Sequence, residues 1–352
     1  MSGEPTQNPA WNPARNPARN GSQSPDCLIV GAGLAGLTAA RHLASAGRTV
    51  LIVDKAKSVG GRLATRRIGA ARLDHGAQFF TVRDPAFNAE VETWVTDGVV
   101  EVWCHGFGKS DGHPRFRALE GMNGIAKYLA ERLRTDLLRP PTIVTRAEAN
   151  AIIAGPEHWA VTYEASRRVP DEVQAVISTA PIPQSLRLLD AGATTSDHRS
   201  ELEAIEYNKV IAVLAVLDRS PRLPAPGAVQ QPDDPTFTFV ADNHDKGISK
   251  LPAVTFHCSH RLSDELWDLD DGRILTHVHD KLRSYLGGAA VQQVQIKRWR
   301  FAGPVSSHPE RYVTAADRPG PLVFAGDGFA GAKVEGAFVS GLAAAQAVLD
   351  AR

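Results

Sequence analysis

The chain has 352 residues, a length sufficient for two domains and a sizeable hydrophobic core. Its 39 basic residues balance 39 acidic ones, so the charge favours neither nucleic acid nor an anionic membrane as a partner. The cysteines, Cys27, Cys104 and Cys258, lie far apart without Cys-x-x-Cys spacing, which argues against a disulfide framework and suits a reducing cytoplasm. Since no apolar run reaches the roughly 18 residues that span a bilayer, we expect a cytoplasmic protein.

Residues 1–24 form a segment of low complexity. Asn12-Pro13-Ala14-Arg15 recurs as Asn16-Pro17-Ala18-Arg19, and almost nothing apolar accompanies Trp11. Such a segment cannot bury enough apolar surface to order itself, which predicts a disordered tail. It also lacks the apolar h-region of a secretory signal.

A pattern of glycines follows the first strand-like stretch, Cys27–Val30. Gly31 allows a tight turn, Gly33 lets the backbone approach a pyrophosphate, and Gly36 lets the next helix pack closely on the strand. That helix, predicted to end near Gly47, would direct unpaired N–H groups and a partial positive charge at the phosphates. A glycine-rich turn without a ligand is the alternative.

The second strand, Thr49–Val53, leads directly to a carboxylate at Asp54. This acid follows the glycines at about the spacing, roughly 20 residues, that places a carboxylate on an adenosine ribose. Strand, helix, second strand and acid therefore occur in the order of a dinucleotide-binding unit, and the order favours dinucleotide binding over a simple turn.

The block Gly60-Gly61-Arg62-Leu63-Ala64-Thr65 comes next. A GGRxxT block in this position resembles the flavin amine oxidase superfamily, which implies FAD as the cofactor and a contact between Arg62 and the FAD phosphate region. A guanidinium suits that contact because it can satisfy phosphate oxygens in bidentate fashion. The superfamily often has Glu where this chain has Asp54, a difference of one methylene.

The segment Leu73–Pro85, LDHGAQFFTVRDP, resembles the bacterial renalase-like branch of that superfamily. The resemblance implies that this segment runs beside the isoalloxazine ring and that Gln78 meets the edge of the ring. His75 could serve as a base, but we expect a loop histidine that is bonded to backbone.

The middle of the chain predicts mixed elements. Helical spacing covers Phe87–Val95, a strand covers Val99–Trp103, and the block Leu119–Ile125 opens a helix that runs to about Leu133. The resemblance implies that the backbone of Val144, on a predicted strand, meets the adenine. An antiparallel meander is expected at Ala151–Ala154, Trp159–Glu164 and Val173–Ser178.

The stretch 183–304 predicts a second domain, with an antiparallel sheet that floors a pocket. Its strands are expected at Lys209–Leu217, Phe237–Val240, Val254–His257 and Val294–Phe301. The predicted fold class is α/β. A Rossmann-type FAD-binding domain comprises residues 25–82, 118–182 and 305–352, and an inserted α+β substrate domain comprises residues 83–117 and 183–304.

Several polar residues of the second domain are candidates for the pocket. His257-Cys258-Ser259-His260 suggests a metal cluster, but alternation along a strand turns His257 away from Cys258 and His260, so we predict no metal. The renalase-like resemblance instead implies that Asn243 and His257 are pocket residues. It also implies that Trp299 lies on the strand that returns to the flavin, either lining the pocket or packing its wall.

The last part of the chain forms a second cofactor block. The strand Leu322–Ala325 precedes Gly326 and Asp327, and a helix follows from residue 334 to 350. The resemblance implies that Gly326 and Asp327 reach the ribityl and pyrophosphate region. The helix N-terminus near Gly336 and Ala337 would face the flavin N1 and C2 carbonyl, where N–H groups stabilise negative charge.

Two further residues of this block bear on the cofactor and the substrate. No cysteine follows Cys258, which excludes cysteinyl attachment at the family position, so we expect non-covalent FAD. Lys333 stands where many amine oxidases have an aromatic residue of the cage around the substrate amine. An ammonium facing the pocket would repel a cationic amine, and a lysine that extends to solvent is the alternative.

The candidate cofactor-binding residues are Gly31, Gly33, Leu34, Ala35, Gly36, Asp54, Lys55, Gly61, Arg62, Gln78, Val144, Gly326, Asp327, Val334, Gly336 and Ala337. The candidate catalytic residues are Gln78, Asn243, His257, Trp299 and Lys333.

The renalase-like resemblance covers almost all of Asp26–Leu349 and implies a small-molecule substrate with O2. The implied reaction is oxidation of the 2- and 6-dihydro isomers of NAD(P), in which a hydride moves to flavin N5, O2 becomes H2O2 and no general base is needed. One alternative is a flavin-dependent amine oxidase or desaturase of another small molecule. Another is a non-catalytic flavin-binding protein. The sequence leaves the oligomeric state open.

Overall fold

The structure, a computed structural model, describes residues 24–108, 111–164, 172–230, 235–329 and 331–351. The predicted disordered tail, apart from its last residue, lies outside the described residues. The elements in chain order are β1 Cys27–Val30, α1 Leu34–Ser45, β2 Val50–Asp54, β3 Thr65–Ile68, β4 Ala71–Asp74, α2 Pro85–Thr96, β5 Val100–Cys104, β6 Arg115–Ala118, α3 Asn123–Thr135, β7 Thr142–Thr145, β8 Glu148–Ala154, β9 Trp159–Glu164, β10 Glu172–Val173, β11 Ala175–Ser178, α4 Ile182–Ala191, α5 Arg199–Glu203, β12 Tyr207–Leu217, β13 Ala228–Gln230, β14 Phe237–Asp242, β15 Ala253–Cys258, α6 His260–Glu265, α7 Asp271–Ser284, β16 Val291–Pro304, β17 Val313–Ala316, β18 Leu322–Phe324 and α8 Lys333–Asp350.

The main sheet has six strands in the order β17-β18-β11-β1-β2-β7. All neighbours are parallel except β17 and β18, and Leu28 of β1 lies opposite both Val176 of β11 and Leu51 of β2. Apolar side chains leave both faces of the central strands, so Leu28 and Ile29 join different hydrophobic clusters. This burial of both faces is characteristic of parallel sheets and confirms the predicted α/β class.

One predicted element belongs to a different sheet. The expected meander included Val173–Ser178, but β11 lies between β1 and β18 in the main sheet, and the three-stranded antiparallel sheet is β10-β9-β8. The reason is burial, since all four residues of β11 are buried, as a central strand requires.

A five-stranded antiparallel sheet, β13-β14-β15-β12-β16, forms the second main layer. Ile211 and Val213 of β12 leave one face of this sheet and pack with Ile274 and Val278 of α7. Residues that alternate with these leave the opposite face. Ala212 lies opposite both His257 of β15 and Lys297 of β16, so His257 and Lys297 leave the sheet on the face away from α7.

Helix α2 packs on the main sheet layer, although residues 83–117 were predicted to belong to the substrate domain. Phe87, Val91 and Trp94 are buried in the cluster that covers one face of the main sheet. The ring centroid of Phe87 lies 5.1 Å from that of Phe338 in α8. Three buried apolar side chains therefore tie α2 to the cofactor side of the molecule.

Helices α1 and α8 pack closely on the same face of the main sheet. A Cβ atom at Gly341 of α8 would overlap the Ala35 backbone of α1, so the crossing requires glycine. The first turns of both helices, at Leu34 and Val334, line one cleft.

Candidate functional site: a cleft between the two sheets

A cleft of about 1380 Å³ separates the carboxyl ends of the main sheet from the five-stranded sheet. Val30 and Val53 reach it from β1 and β2, and Val210 and Trp299 reach it from β12 and β16. A typical small-molecule pocket has roughly 300–1,000 Å³. The cleft therefore exceeds the size of a typical pocket for one small molecule.

Each glycine of the loop after β1 is required for a different physical reason. Gly31 has a φ of +106°, and a Cβ atom there would lie 2.6 Å from Thr179 Oγ1. A Cβ atom at Gly36 would overlap the Gly31 carbonyl oxygen, so Gly36 is needed for packing. A Cβ atom at Gly33 would meet no protein atom within 4 Å, because it would enter the cleft. The space above Gly33 suits a pyrophosphate, as the sequence predicts.

Asp54 stabilises the glycine loop from the end of β2. Its Oδ2 accepts a hydrogen bond from the Ala32 N–H (2.7 Å), and its Oδ1 accepts one from the Ala56 N–H (2.7 Å). Asp54 and Lys55 both line the cleft. Because each carboxylate oxygen has a second lone pair, Asp54 can still accept hydrogen bonds from a ribose.

Arg62 and Asp327 join the first and last cofactor blocks. Arg62 Nη2 donates to Asp327 Oδ1 (2.6 Å), and Arg62 Nη1 donates to the Phe301 carbonyl oxygen (3.2 Å). The guanidinium also lies 5.8 Å from the ring centroid of Tyr207. Burial, followed by the Asp327 charge, raises the pKa of Tyr207 to about 12. No local pattern around Tyr207 predicts this position.

The N-termini of α1 and α8 both face the cleft without a side-chain cap. Gly33 caps α1 and Ala332 caps α8, and neither provides a side-chain hydrogen bond to the first turn. Glu335, in the first turn of α8, accepts hydrogen bonds from the N–H groups of Arg83 (2.5 Å) and Asp84 (2.9 Å). The first N–H groups of both helices therefore remain available to an anionic or electron-rich group.

His75, Trp299 and His257 line one part of the cleft, which we call the substrate end because the sequence predicts Trp299 and His257 as pocket residues. The His75 and Trp299 rings stack with centroids 5.2 Å apart and planes at 22°, and Trp299 Nε1 donates to the His75 carbonyl oxygen (2.7 Å). The sequence predicts that the His75 side chain is bonded to backbone. This prediction is wrong for the ring, because the carbonyl oxygen of His75, and not its ring, accepts the hydrogen bond from Trp299. His75 Nδ1 is buried and has no hydrogen-bond partner among the described residues.

Both histidines of the substrate end are uncharged at neutral pH. Burial, followed by the charge of Lys297, lowers the pKa of His75 to about 4. Burial also lowers the pKa of His257 to about 4, and a hydrogen bond to the His75 backbone opposes that shift. Neutral imidazoles of this kind can donate and accept hydrogen bonds, but they are weak bases.

Two predicted pocket residues, Gln78 and Asn243, lie behind the cleft and do not line it. Gln78 Nε2 donates to the Asp74 carbonyl oxygen (2.7 Å) and lies 3.5 Å from His257 Nε2. Asn243 is fully buried, accepts a hydrogen bond from the Asp74 N–H (3.1 Å) and donates to Thr255 Oγ1 (3.0 Å). The sequence predicts that Gln78 meets the edge of the flavin ring and that Asn243 lines the pocket. Both predictions are corrected, because these side chains are bonded to the backbone of Asp74 instead.

A buried ion pair that the sequence did not predict supports this loop. Lys246 Nζ donates to Asp74 Oδ2 (2.7 Å) and to the Gln78 carbonyl oxygen (2.5 Å), and both charged side chains are 0% exposed. Asp74 Oδ1 also accepts from Thr65 Oγ1 (2.5 Å) and the Met122 N–H (2.8 Å). The pair therefore fixes the residues on either side of His75.

The remaining predicted site residues divide between the cleft and its support. The following residues line the cleft: Leu34, Ala35, Gly61, Gly326, Val334, Ala337 and Lys333. Gly36 and Gly336 lie behind it, where a Cβ atom would overlap the carbonyl oxygens of Gly31 and Gly331. Val144 packs against a hydrophobic cluster and is not a lining residue, whereas the segment 147–150 lines the cleft at this edge.

The His257 to His260 motif does not converge. His257 Nε2 lies beside Gln78, whereas His260 Nδ1 lies 3.3 Å from the Lys209 carbonyl oxygen. Within the described residues, no group of three or more His, Cys, Asp or Glu side chains could hold a metal ion. The same part of the chain contains no helix with the length and apolarity to cross a bilayer.

These residues fit FAD. The space above Gly33, the uncapped helix ends, the Asp54 carboxylate and the Arg62–Asp327 pair lie along one cleft, and its volume exceeds that of a single small ligand. Together the fold and the cleft define a flavin-dependent oxidoreductase with a Rossmann-type cofactor domain.

The family comparison agrees with this class. The chain belongs to the flavin containing amine oxidoreductase family, whose model matches residues 100–349, and a Rossmann-like NAD(P)-binding domain model matches residues 29–92. Members of this family are FAD-dependent oxidoreductases, so FAD is the cofactor of this chain and it is an enzyme of that type.

Individual relatives resemble the chain over a short segment or in fold. A phytoene dehydrogenase from Streptomyces griseus is 46% identical over 57 residues, which cover 16% of this chain and 11% of that enzyme. A putrescine oxidase from Kocuria rosea is 45% identical over 56 residues, which cover 16% of this chain and 12% of that enzyme. The crystal structure of a candidate protoporphyrinogen oxidase from Exiguobacterium sp. 255-15 has a TM-score of 0.69 at 14% identity, covering 93% of this chain and 99% of that chain. This last likeness concerns the fold alone.

Proposed function

We propose that the enzyme is a renalase-like oxidase of the 2- and 6-dihydro isomers of NAD(P), with O2 as electron acceptor and H2O2 as product. Bound FAD would supply the two-electron chemistry, namely a hydride acceptor at N5 and a route for the two electrons to O2, which takes up a solvent proton as well to give H2O2. The substrate becomes an aromatic pyridinium, so no proton has to be removed from it.

The residues of the chain would bind and orient the cofactor without a covalent bond. Gly33 and the N-terminus of α1 would hold the pyrophosphate, and Asp54 would hold the adenosine ribose. Asp327, held by Arg62, would contact the ribityl and pyrophosphate region, and the N-terminus of α8 would stabilise negative charge on the ring system.

The observation that carries the proposal is the pairing of an aromatic stack with uncharged histidines at the substrate end. His75 and Trp299 offer a flat surface beside the cleft, and His257 lies next to them. With pKa values of about 4, neither imidazole takes up a proton readily at neutral pH. This arrangement suits a flat substrate that gives up a hydride and needs orientation more than base catalysis.

Charge at the cleft supports the same proposal over an amine substrate. Among the described residues of the five-stranded sheet, those that line the cleft include no carboxylate that could pair with an ammonium group. Lys333, the first residue of α8, is exposed and lines the cleft. Its positive charge disfavours a cationic amine and favours an anionic or electron-rich substrate.

A desaturase of an apolar substrate has less support. The substrate end contains polar groups on several elements, including Asn208, Thr238 and His257, where a carotenoid-type substrate would need an apolar lining. The local identity with a phytoene dehydrogenase covers 57 residues and bears on the cofactor unit alone.

The test is anaerobic bleaching of the purified flavoprotein. We expect the 2- and 6-dihydro isomers of NAD(P) to bleach the flavin rapidly, whereas ordinary NAD(P)H and a panel of amines do so slowly. Full amine-oxidase rates with Lys333 intact would contradict the proposal. A protein that retains flavin but is bleached by no donor would instead be a non-catalytic flavin-binding protein.

A matched pair of histidine variants separates a site effect from a general one. His75→Asn removes a ring from the stack at the cleft, whereas His279→Asn changes an exposed residue of α7. We expect slower bleaching by the dihydro isomers in the first variant and an unchanged rate in the second.

A further inference from the structure

Two basic residues, Arg66 and Lys297, lie beside each other at the face of the five-stranded sheet that carries Trp299. Arg66 of β3 lines the cleft, and its Nε donates to Gln295 Oε1 on β16 (3.1 Å). Residues two apart on a strand leave the same face, so Gln295, Lys297 and Trp299 share one face. The hydrogen bond to Gln295 therefore places Arg66 beside Lys297.

Within the described residues, Arg66 and Lys297 form no ion pair with a carboxylate. Asp271 is the acid that acts on Lys297, but its Oδ1 already pairs with Arg298 Nη1 (2.7 Å). Arg298 also lines the cleft, and its guanidinium offsets the charge of Asp271.

The charges act on each other and on the aromatic stack. Burial, followed by the charge of Arg66, lowers the pKa of Lys297. The charges of Lys297 and Arg66 both add to the effect of burial on His75, which identifies these two cations as neighbours of the substrate end. Two half-buried like charges side by side cost free energy unless an anion joins them.

We propose that Arg66 and Lys297 form an anion subsite that binds a phosphate group of the substrate, a specificity determinant that rests on the proposed oxidation of dihydronicotinamide nucleotides. A forked guanidinium beside an ammonium matches the oxygens of a phosphate. The FAD phosphates would have separate partners at Gly33, the α1 N-terminus and Arg62, so this subsite would serve a second ligand.

The first experiment compares donors with and without phosphate on the FAD-loaded enzyme. The phosphate-bearing donor is a 2- or 6-dihydro isomer of nicotinamide mononucleotide, and the other donor is the matching riboside. For Arg66→Gln and Lys297→Met we expect KM for the nucleotide to rise about tenfold, as loss of a charge-assisted hydrogen bond predicts, with kcat nearly unchanged. KM for the riboside should not change.

The matched control is Arg67→Gln. Arg67 is the next residue of β3, is exposed and does not line the cleft. The KM values for both donors should therefore be unchanged in Arg67→Gln. Arg66→Lys, which retains the charge, should recover part of the affinity for the nucleotide. An equal rise in KM for nucleotide and riboside in Arg66→Gln and Lys297→Met would overturn the subsite.

A binding measurement separates failure of the subsite from failure of the proposed function. Inorganic pyrophosphate is titrated into the FAD-loaded protein by calorimetry, and we expect binding to the wild type that falls about tenfold or more in the double variant R66Q/K297M. If the wild type binds no pyrophosphate, the subsite is wrong. If it binds pyrophosphate through these residues but oxidises no dihydronicotinamide, the subsite stands and the proposed substrate is wrong.

Discussion

The Trp299 indole stacks on the His75 ring, with centroids 5.2 Å apart, and its Nε1 donates to the carbonyl oxygen of the same residue at 2.7 Å. Two contacts of different kinds therefore join β16 to the loop after β4. The stack orients the ring planes, and the hydrogen bond fixes the indole in its own plane. A flat ligand in the cleft would meet a surface that is already ordered.

Substitutions at Trp299 should separate the stack from the hydrogen bond. Trp299→Phe keeps an aromatic ring and loses the donor, which should slow anaerobic flavin reduction about fivefold for a hydrogen bond of about 1 kcal/mol. Trp299→Ala also removes the ring and should slow it more. The control is Trp267→Phe, because Trp267 contacts Lys209 and Arg300 on the other face of the sheet. Equal rates for the Phe and Ala variants of Trp299 would show that the stack is not needed.

Gly33 and Gly36 should respond differently to the same substitution. In Gly33→Val the new side chain enters the space where the pyrophosphate is expected, so the apo protein should fold normally and purify without flavin. In Gly36→Val the side chain would overlap the Gly31 carbonyl oxygen, so the apo protein itself should be unstable. Thermal unfolding of the apo proteins and the flavin absorbance of the purified proteins provide both measurements. Stoichiometric FAD in Gly33→Val would show that the cofactor lies elsewhere.

The cofactor half of the site was predictable because its signals are local. The spacing of Gly31, Gly33 and Gly36 is set by one turn, and Asp54 ends the next strand along the chain. The element types around them follow from short apolar runs and helical spacing. A reader of the sequence can therefore place the glycine loop without knowing the rest of the fold.

The buried contacts that hold the site in place could not be predicted from the sequence. The residues that form them are distant in the chain and meet only after folding. Asp74 and Lys246 are 172 residues apart, and no local pattern marks either as half of a buried pair. The renalase-like resemblance implies that Gln78 and Asn243 are pocket residues, but their amide groups are bonded to the backbone of Asp74. The position of β11 was missed for a similar reason, since apolar composition does not specify which neighbours a strand has.

The neutral histidines predict a dependence of stability on pH. The unfolded chain binds protons at His75 and His257 near pH 6.5, whereas the folded chain binds them near pH 4. The stability that the protein has with both histidines neutral is fully present above about pH 6.5. It is lost as the pH falls toward 4, because the unfolded state then binds more protons than the folded state. The free energy of unfolding should fall by up to about 1.4 kcal/mol per pH unit for each histidine.

Urea unfolding at several pH values between 7 and 4 measures that slope. We expect a shallower slope for His75→Asn and for His257→Asn than for the wild type, and an unchanged slope for His279→Asn, whose ring is exposed. A wild-type slope that none of these variants alters would assign the acid sensitivity to other groups.

The Lys246–Asp74 pair should be strongly coupled. In Lys246→Met the Asp74 carboxylate keeps its bonds from Thr65 and Met122 but loses its buried cation. In Asp74→Asn the ammonium is left buried without an anion. Each single variant should lower the free energy of unfolding by about 3–5 kcal/mol, and the double variant by much less than the sum, because it leaves no unpaired charge.

The four proteins of this cycle are compared by urea unfolding in their apo forms, so that flavin binding does not contribute. The exposed pair Arg261–Glu265 provides a control cycle, for which we expect a far smaller coupling free energy because solvent screens both charges. If the two cycles give equal coupling, the buried pair does not hold the loop. If the coupling is large, the residues on either side of His75 are held by a contact between β4 and the loop after β14, and loss of Lys246 should disturb the Trp299 stack as well as stability.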